Sequence, residues 1–215
     1  MKKTLLAALA IIVISFAIGI YFYPQMPDKM ASHWNAQGSV DGYSSKFIGL
    51  FLMPIISLAM LLLFLVIPYM DPLQHNIKKF RNYFDTFILI TFIFLFYLYI
   101  LTLVWSFGFF FNMTLFLIPA FALLFFYAGV LIEKAKRNFF IGIRTPWTLT
   151  NEKVWNDTHK LGGKLYKIAA VISLLGLFFQ KYAFLIMIVP ILFVSLYAVV
   201  YSYVDFQKQK QHKRR

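Results

Sequence analysis

The chain contains no cysteine, which excludes disulfide scaffolds, thiolate metal centres and cysteine nucleophiles. It is also poor in charge: Asp, Glu, Lys and Arg make up 13% of 215 residues, against about a quarter in an ordinary soluble domain. Acidic residues are the scarcer sign, 8 against 21 Lys and Arg. HExxH, GxSxG and P-loop signatures do not occur, and ionisable residues fall only at the ends of the long apolar runs. With no residue set for catalysis, a proton relay or an ion pathway, the expectation is a protein that is not an enzyme and carries no cofactor.

What is present is apolar: 61% of the chain is hydrophobic, with 26 Phe and 13 Tyr. No charged residue lies between Lys3 and Asp28, Lys46 and Asp71, Asp85 and Glu133, or Lys181 and Asp205. About 20 apolar residues carry a helix across a bilayer, so each of these runs holds at least one span. The third is long enough for two, joined by a tight turn near Gly108 to Thr114. A sixth helix is predicted through Ile168 to Gln180, extended back over Lys164 and Lys167, whose stems can lie along lipid while their ammonium groups snorkel to the interface. The expected fold class is all-α, a polytopic membrane protein of about six transmembrane helices.

Six crossings put Lys29, Lys46 and Lys181 on one side and the remainder of the 21 Lys and Arg on the other. The positive-inside bias makes the richer side cytoplasmic, with both termini there, and implies a multi-pass protein of the cell membrane. The basic tail, 205–215, reads as an anchor on anionic lipid rather than a nucleic-acid site. The chain divides into an N-terminal helix pair, 1–70, with an extracellular loop at 24–46, and a four-helix region, 71–215, with a cytoplasmic loop at 133–167. Lys2, Lys3 and the small residues Ala17 to Gly19 also suit a signal peptide, but the apolar run continues to Tyr23, which favours a retained helix.

The extracellular loop is rich in turn formers. Pro24 and Pro27 stop the first helix, Asn35 to Gly38 and Asp41-Gly42 supply turn chemistry, and Met30 to Trp34 suits a short strand, so a compact hairpin is expected. Asp28, His33 and Asp41 lack the spacing of metal ligands, and no metal is expected.

In the cytoplasmic loop Pro146 bars helix at Thr145, Thr150 is placed to cap a helix over Asn151 to Leu161, and Gly162-Gly163 is placed to end it. Val154, Thr158 and Leu161 form one stripe, with Thr158 turned inward. Glu152, Asn156, His159 and Gly163 form another, available to a partner. Arg144 beside its proline turn is expected to hold several backbone carbonyls, and Trp147 and Trp155 to act as interfacial anchors. The few hydroxyls within the spans, Ser57, Thr91, Thr102 and Ser173, suit helix packing.

These loops carry a resemblance. The run Pro27-Asp28, His33-Trp34-Asn35, Gly38, Asp41-Gly42-Tyr43 and Ser45-Lys46 is similar to a small N-terminal domain of unknown function. Asn138, Ile141-Gly142, Arg144-Thr145-Pro146, Trp155, His159 and Gly162-Gly163 resemble the C-terminal signature of the SdpI-type family, immunity proteins against the sporulation-delaying peptide toxin of bacilli. Together the motifs and their flanking spans cover most of the chain. Ala31-Ser32 departs from that pattern, standing where such loops often carry a second proline.

The resemblance implies a membrane protein that protects against a secreted peptide toxin and relays its presence by recruiting a transcriptional repressor, with the bilayer as its solvent and no direct nucleic-acid contact. The toxin would meet the outer loop and the repressor the inner one. The competing expectation is a small transporter or channel, for which the spans offer no polar pathway.

Overall fold

The computed structural model describes residues 2–212. Helix α1, Lys2–Phe22, ends before Pro24 in a short 3-10 turn. An antiparallel hairpin of β1, Lys29–Trp34, and β2, Val40–Ser45, leads into α2, Lys46–Met70. A short α3, Gln74–Lys79, precedes α4, Arg81–Ser106, and α5, Met113–Lys134. An irregular segment and the one-turn α6, Pro146–Thr150, lead to α7, Glu152–Ser173, and α8, Ala183–His212.

Among the described residues five helical stretches have the length and hydropathy to cross a membrane, Lys2–Gln25, Lys46–Met70, Arg81–Ser106, Met113–Lys134 and Gln180–Gln211. The prolines inside α2, α5 and α8 interrupt none of them, because a helix in lipid finds other partners for the few backbone groups a proline frees. Large side chains stand outward along the spans, among them Leu62, Phe116, Phe193 and Leu196, where lipid rather than water surrounds them. Thr91, Thr102 and Ser173 turn their hydroxyls back onto the carbonyls of Phe87, Leu98 and Ala170 and so present little polarity to the bundle.

The core is divided between the two ends of the bundle. Near one end Ala8, Ile12, Leu61, Ile77, Phe84, Leu131, Ile141 and Trp155 form a buried cluster that joins both halves of the chain. Toward the other, Met30 of the hairpin is sunk among Leu50, Tyr99 and Leu103. Both of these clusters draw on both halves of the chain, whereas Ile118 with Ala183 and Met187, and Ala169 with Ile191 and Val194, form smaller clusters within the second half.

Helix α7 corrects the sequence reading. The helix does not stop at Gly162-Gly163 but continues to Ser173, because these glycines are packing positions rather than a turn: Gly162 faces Ile143 and Gly163 faces α5. A Cβ on Gly163 would lie 2.6 Å from the Gly129 carbonyl oxygen, and one on Gly129 would lie 2.7 Å from that of Gly163. The two backbones therefore meet with no side chain between them, the close approach that small residues permit in membrane helices. The pair is antiparallel: beyond α7, Gly176 reaches Ile118, near the start of α5. Between Gly163 and Gly176 the chain thus runs alongside most of α5, although its lysines keep it out of the five apolar stretches.

Candidate functional site

Two surfaces gather the residues singled out from the sequence, one at each end of the bundle. The hairpin end forms as its turn chemistry requires. Asn35 Oδ1 accepts from the N–H groups of Gln37 and Ser39, and Asn35 and Gly38 close the turn through backbone bonds. His33 Nδ1 meets Asp41 Oδ1 at 2.5 Å across the strands, and Lys46 Nζ meets Asp28 Oδ1 at 2.9 Å. The Lys46 ammonium holds the exposed Asp28 carboxyl below its ordinary range. Asp41-Gly42 is not a turn, however. It lies inside β2, opposite an irregularity at His33 where the Cβ of His33 fills the space beside Gly42.

What holds this hairpin over the helices includes residues outside the expected set, Asn112, Met113 and Trp105, which meet Gln37, Gly38 and Trp34. Asn112, in the turn between α4 and α5, caps α5 by accepting from Leu115 N–H at 3.2 Å and donates its Nδ2 to Gln37 O at 2.8 Å. The Met113 N–H donates to Gly38 O at 3.2 Å, and the Asn112 side chain occupies the space that a side chain on Gly38 would need. Trp34 packs edge-on against Trp105 of α4, ring centres 6.2 Å apart, and Met30 plugs the core beneath. An Asn directly before an apolar run is a helix-cap signal that sequence inspection could have used.

The opposite surface is built on the segment between α5 and α7. Asn138, fully buried, uses its whole amide: Nδ2 donates to Lys136 O and Ile141 O, and Oδ1 accepts from Phe140 and Ile141 N–H. Gly142 has φ of +115°, in the region that favours glycine, and the imidazole of His159 lies where its side chain would be. His159 Nε2 accepts from Ile143 N–H at 3.0 Å, so Nδ1 carries the proton and donates to Trp155 O at 2.8 Å. Burial pushes the His159 pKa down to about 4, the backbone acceptor only partly opposing it, and the ring is a neutral structural pin near pH 7.

Several expectations are corrected at this surface. His159 does not face a partner: it is 1% exposed and stacks on Trp155, centres 3.8 Å apart. Trp155 is no interfacial anchor, being fully buried with Nε1 donating to Ala135 O at 2.9 Å. The buried face of α7 is Val154-Trp155, Thr158-His159 and Gly162-Gly163, a four-residue repeat that mixes ring and small side chains and so escapes a purely hydrophobic reading. Thr158 is inward as expected, and Asn156 is exposed beside Lys153 and Lys160. Asn151, not Thr150, caps α7, accepting from Lys153 and Val154 N–H, because Thr150 ends α6 with its hydroxyl bonded to Pro146 O.

Around the proline turn, Thr145 and Thr148 form a reciprocal cap on α6, and Thr145 Oγ1 lies 3.0 Å from Ser202 Oγ of α8. Arg144 bonds a single carbonyl, that of Phe139 at 2.8 Å, and is otherwise exposed. Trp147 is half-buried, its ring against Tyr203. Sequence reading missed Asp71 at the end of α2, 1% exposed. Its Oδ1 accepts from Leu73 N–H and its Oδ2 from Phe139 N–H, each at 2.7 Å. Asn76 adds a bond to Arg137 O at 2.8 Å. The hairpin is thus bonded to the α4–α5 turn, and the α2–α3 connection to the segment after α5.

No group of three His, Asp or Glu among the described residues could hold a metal ion, and the titratable groups here cap, pin or pair with neighbours. The arrangement presents two surfaces, one at each end of a largely apolar helix bundle.

Comparison with known proteins bears on both surfaces. The domain of unknown function DUF1648 matches residues 10–58, covering the hairpin and parts of its flanking helices, and the SdpI/YfhL protein family matches residues 134–202, from the Asn138 segment into α8. The chain is 27% identical over 209 residues to a protein named Immunity protein SdpI of Bacillus subtilis (strain 168), covering 97% of this chain and 98% of the relative. The likeness to this relative therefore extends over almost the whole chain and not over the two loops alone. No solved structure matches the chain.

Proposed function

We propose that this protein is a cell-membrane immunity protein that protects against a secreted, membrane-active peptide toxin. The observation that carries the reading is the similarity, along almost the full length, to a relative named as an immunity protein, with both matched domains in the same chain. In this reading six helices cross the membrane, the sixth being the stretch of α7 and the following turn that runs antiparallel to α5, and both termini are cytoplasmic. The toxin arrives at the hairpin clamped over the α4–α5 turn. A cytoplasmic transcriptional repressor is recruited to the opposite surface, where Asn156, Lys153 and Lys160 stand outward on α7 over a backbone fixed by Asn138 and His159.

The test is expression of the full chain in a strain sensitive to secreted bacillar peptides. Survival under peptide challenge that depends on the protein, at membrane levels verified by blotting, is the expected result. Equal killing with and without it across the peptides tried would remove the immunity reading.

A further inference from the structure

A cavity of about 440 Å³ lies at the Asn138 end of the bundle, between Phe64 and Ile67 of α2, Ala128 and Ile132 of α5 and Val199 of α8. α2 and α8 each pack chiefly on other helices, and the cavity lies between them. The 140–145 segment forms its floor, and Arg144 stands there. Its depth follows from the helices: Ile67 and Ile132 are within a turn of the ends of α2 and α5, so Arg144 lies where lipid headgroups meet the hydrocarbon.

The wall is apolar in effect as well as composition. Tyr166 Oη and Ser195 Oγ, which face the cavity, bond each other at 2.6 Å, and the Ser195 hydroxyl also bonds Ile191 O. They leave an ion or polar solute little to bind. Arg144 is different, because one guanidinium nitrogen bonds Phe139 O and the side chain is otherwise exposed, leaving donors in the fork geometry that suits a phosphate.

We infer that this crevice binds one anionic phospholipid of the cytoplasmic leaflet, an acyl chain lying between α2 and α8 and the phosphate on Arg144. The inference does not rest on the immunity reading. The volume is in the range of small-molecule sites, and its long apolar wall suits a hydrocarbon chain. Arg144 supplies the charge complementarity that a zwitterionic headgroup satisfies less well.

Native mass spectrometry of the full-length protein in mild detergent, with dioleoyl phosphatidylglycerol or dioleoyl phosphatidylcholine added, tests this. The parent should retain one phosphatidylglycerol, about tenfold more readily than phosphatidylcholine. Arg144→Gln should reduce retention to the phosphatidylcholine level, while Arg144→Lys, which keeps the charge, should preserve most of it. Val199→Trp fills the crevice from an exposed position on α8 and should lose both lipids with an unchanged thermal transition. Equal retention of the two lipids by the parent, or phosphatidylglycerol retained by Val199→Trp, overturns the proposal, and the second result would place the lipid on the basic tail instead. Should Arg144→Gln fail to fold, Val199→Trp alone decides.

Discussion

The imidazole of His159 fills the space that a side chain on Gly142 would occupy, and its Nε2 takes the next backbone N–H, that of Ile143, at 3.0 Å. One residue is bare so that the other can pin the loop. Gly142→Ala would set a methyl group against the ring at a φ of +115°. A loss of roughly 1–3 kcal/mol is expected, with lower thermal stability and lower membrane abundance. A thermal transition indistinguishable from the parent would show that the pin is dispensable.

The same imidazole predicts a pH dependence. Its pKa is about 4 in the folded protein, below the ordinary 6.5, because burial disfavours the charged ring. The unfolded chain therefore binds the extra proton first, and the stabilisation is full above pH 6.5 and lost as pH falls toward 4, about 3 kcal/mol in all. Between pH 6.5 and 5, before carboxylates contribute, the slope should be present in the parent and absent in His159→Gln. An equal slope in both would assign it to another group.

Topology is open to direct measurement because the chain has no native cysteine. Thr148 is unsuitable as a reporter, being fully buried, whereas Thr150 and Gln37 are exposed. In intact cells an impermeant thiol reagent should label Gln37→Cys and spare Thr150→Cys, with both labelled after permeabilisation. The reverse pattern would invert the orientation proposed for all the helices.

At the hairpin, Trp34→Ala should lower toxin tolerance while membrane abundance stays near normal, since the indole packs against Trp105 at the bundle's edge without entering a span. Asn112→Ala should have a similar effect through another route, removing both the cap on α5 and the bond to Gln37 O, at about 1 kcal/mol. Full protection in both variants would reduce the hairpin to a connector.

Inside, Asn156→Ala with Lys160→Ala changes only exposed positions, so stability should hold within about 0.5 kcal/mol. Toxin tolerance should survive and repressor recruitment to membranes should fall. Tolerance lost with recruitment intact would reverse the roles of the two surfaces.

The apolar spans, the α4–α5 turn and the hairpin were legible because charge-free runs and turn residues act locally. Thr158 was placed inward correctly, but His159 was placed outward, since helical spacing gives the relative angle of side chains and not which face meets the bundle. Gly162-Gly163 carried the same ambiguity: paired glycines mark a helix end in water and a close helix crossing in a membrane. Asp71, Asn112 and Ser202 were not legible as partners, because their bonds to Phe139, Gln37 and Thr145 join segments far apart in sequence.

The carboxylate of Asp71 also orders events in time. It leaves the ribosome 68 residues before Phe139, whose N–H it finally accepts. At about 5–20 residues per second, several seconds pass with α2 already made and that oxygen still hydrated. Closing the bond requires α5 to have inserted and the Asn138 segment to have folded back beneath α2, so it reports that both halves have arrived. A chain arrested before Phe139 would keep a charged end on α2 that nothing covers, a mark by which an unfinished copy differs from a finished one.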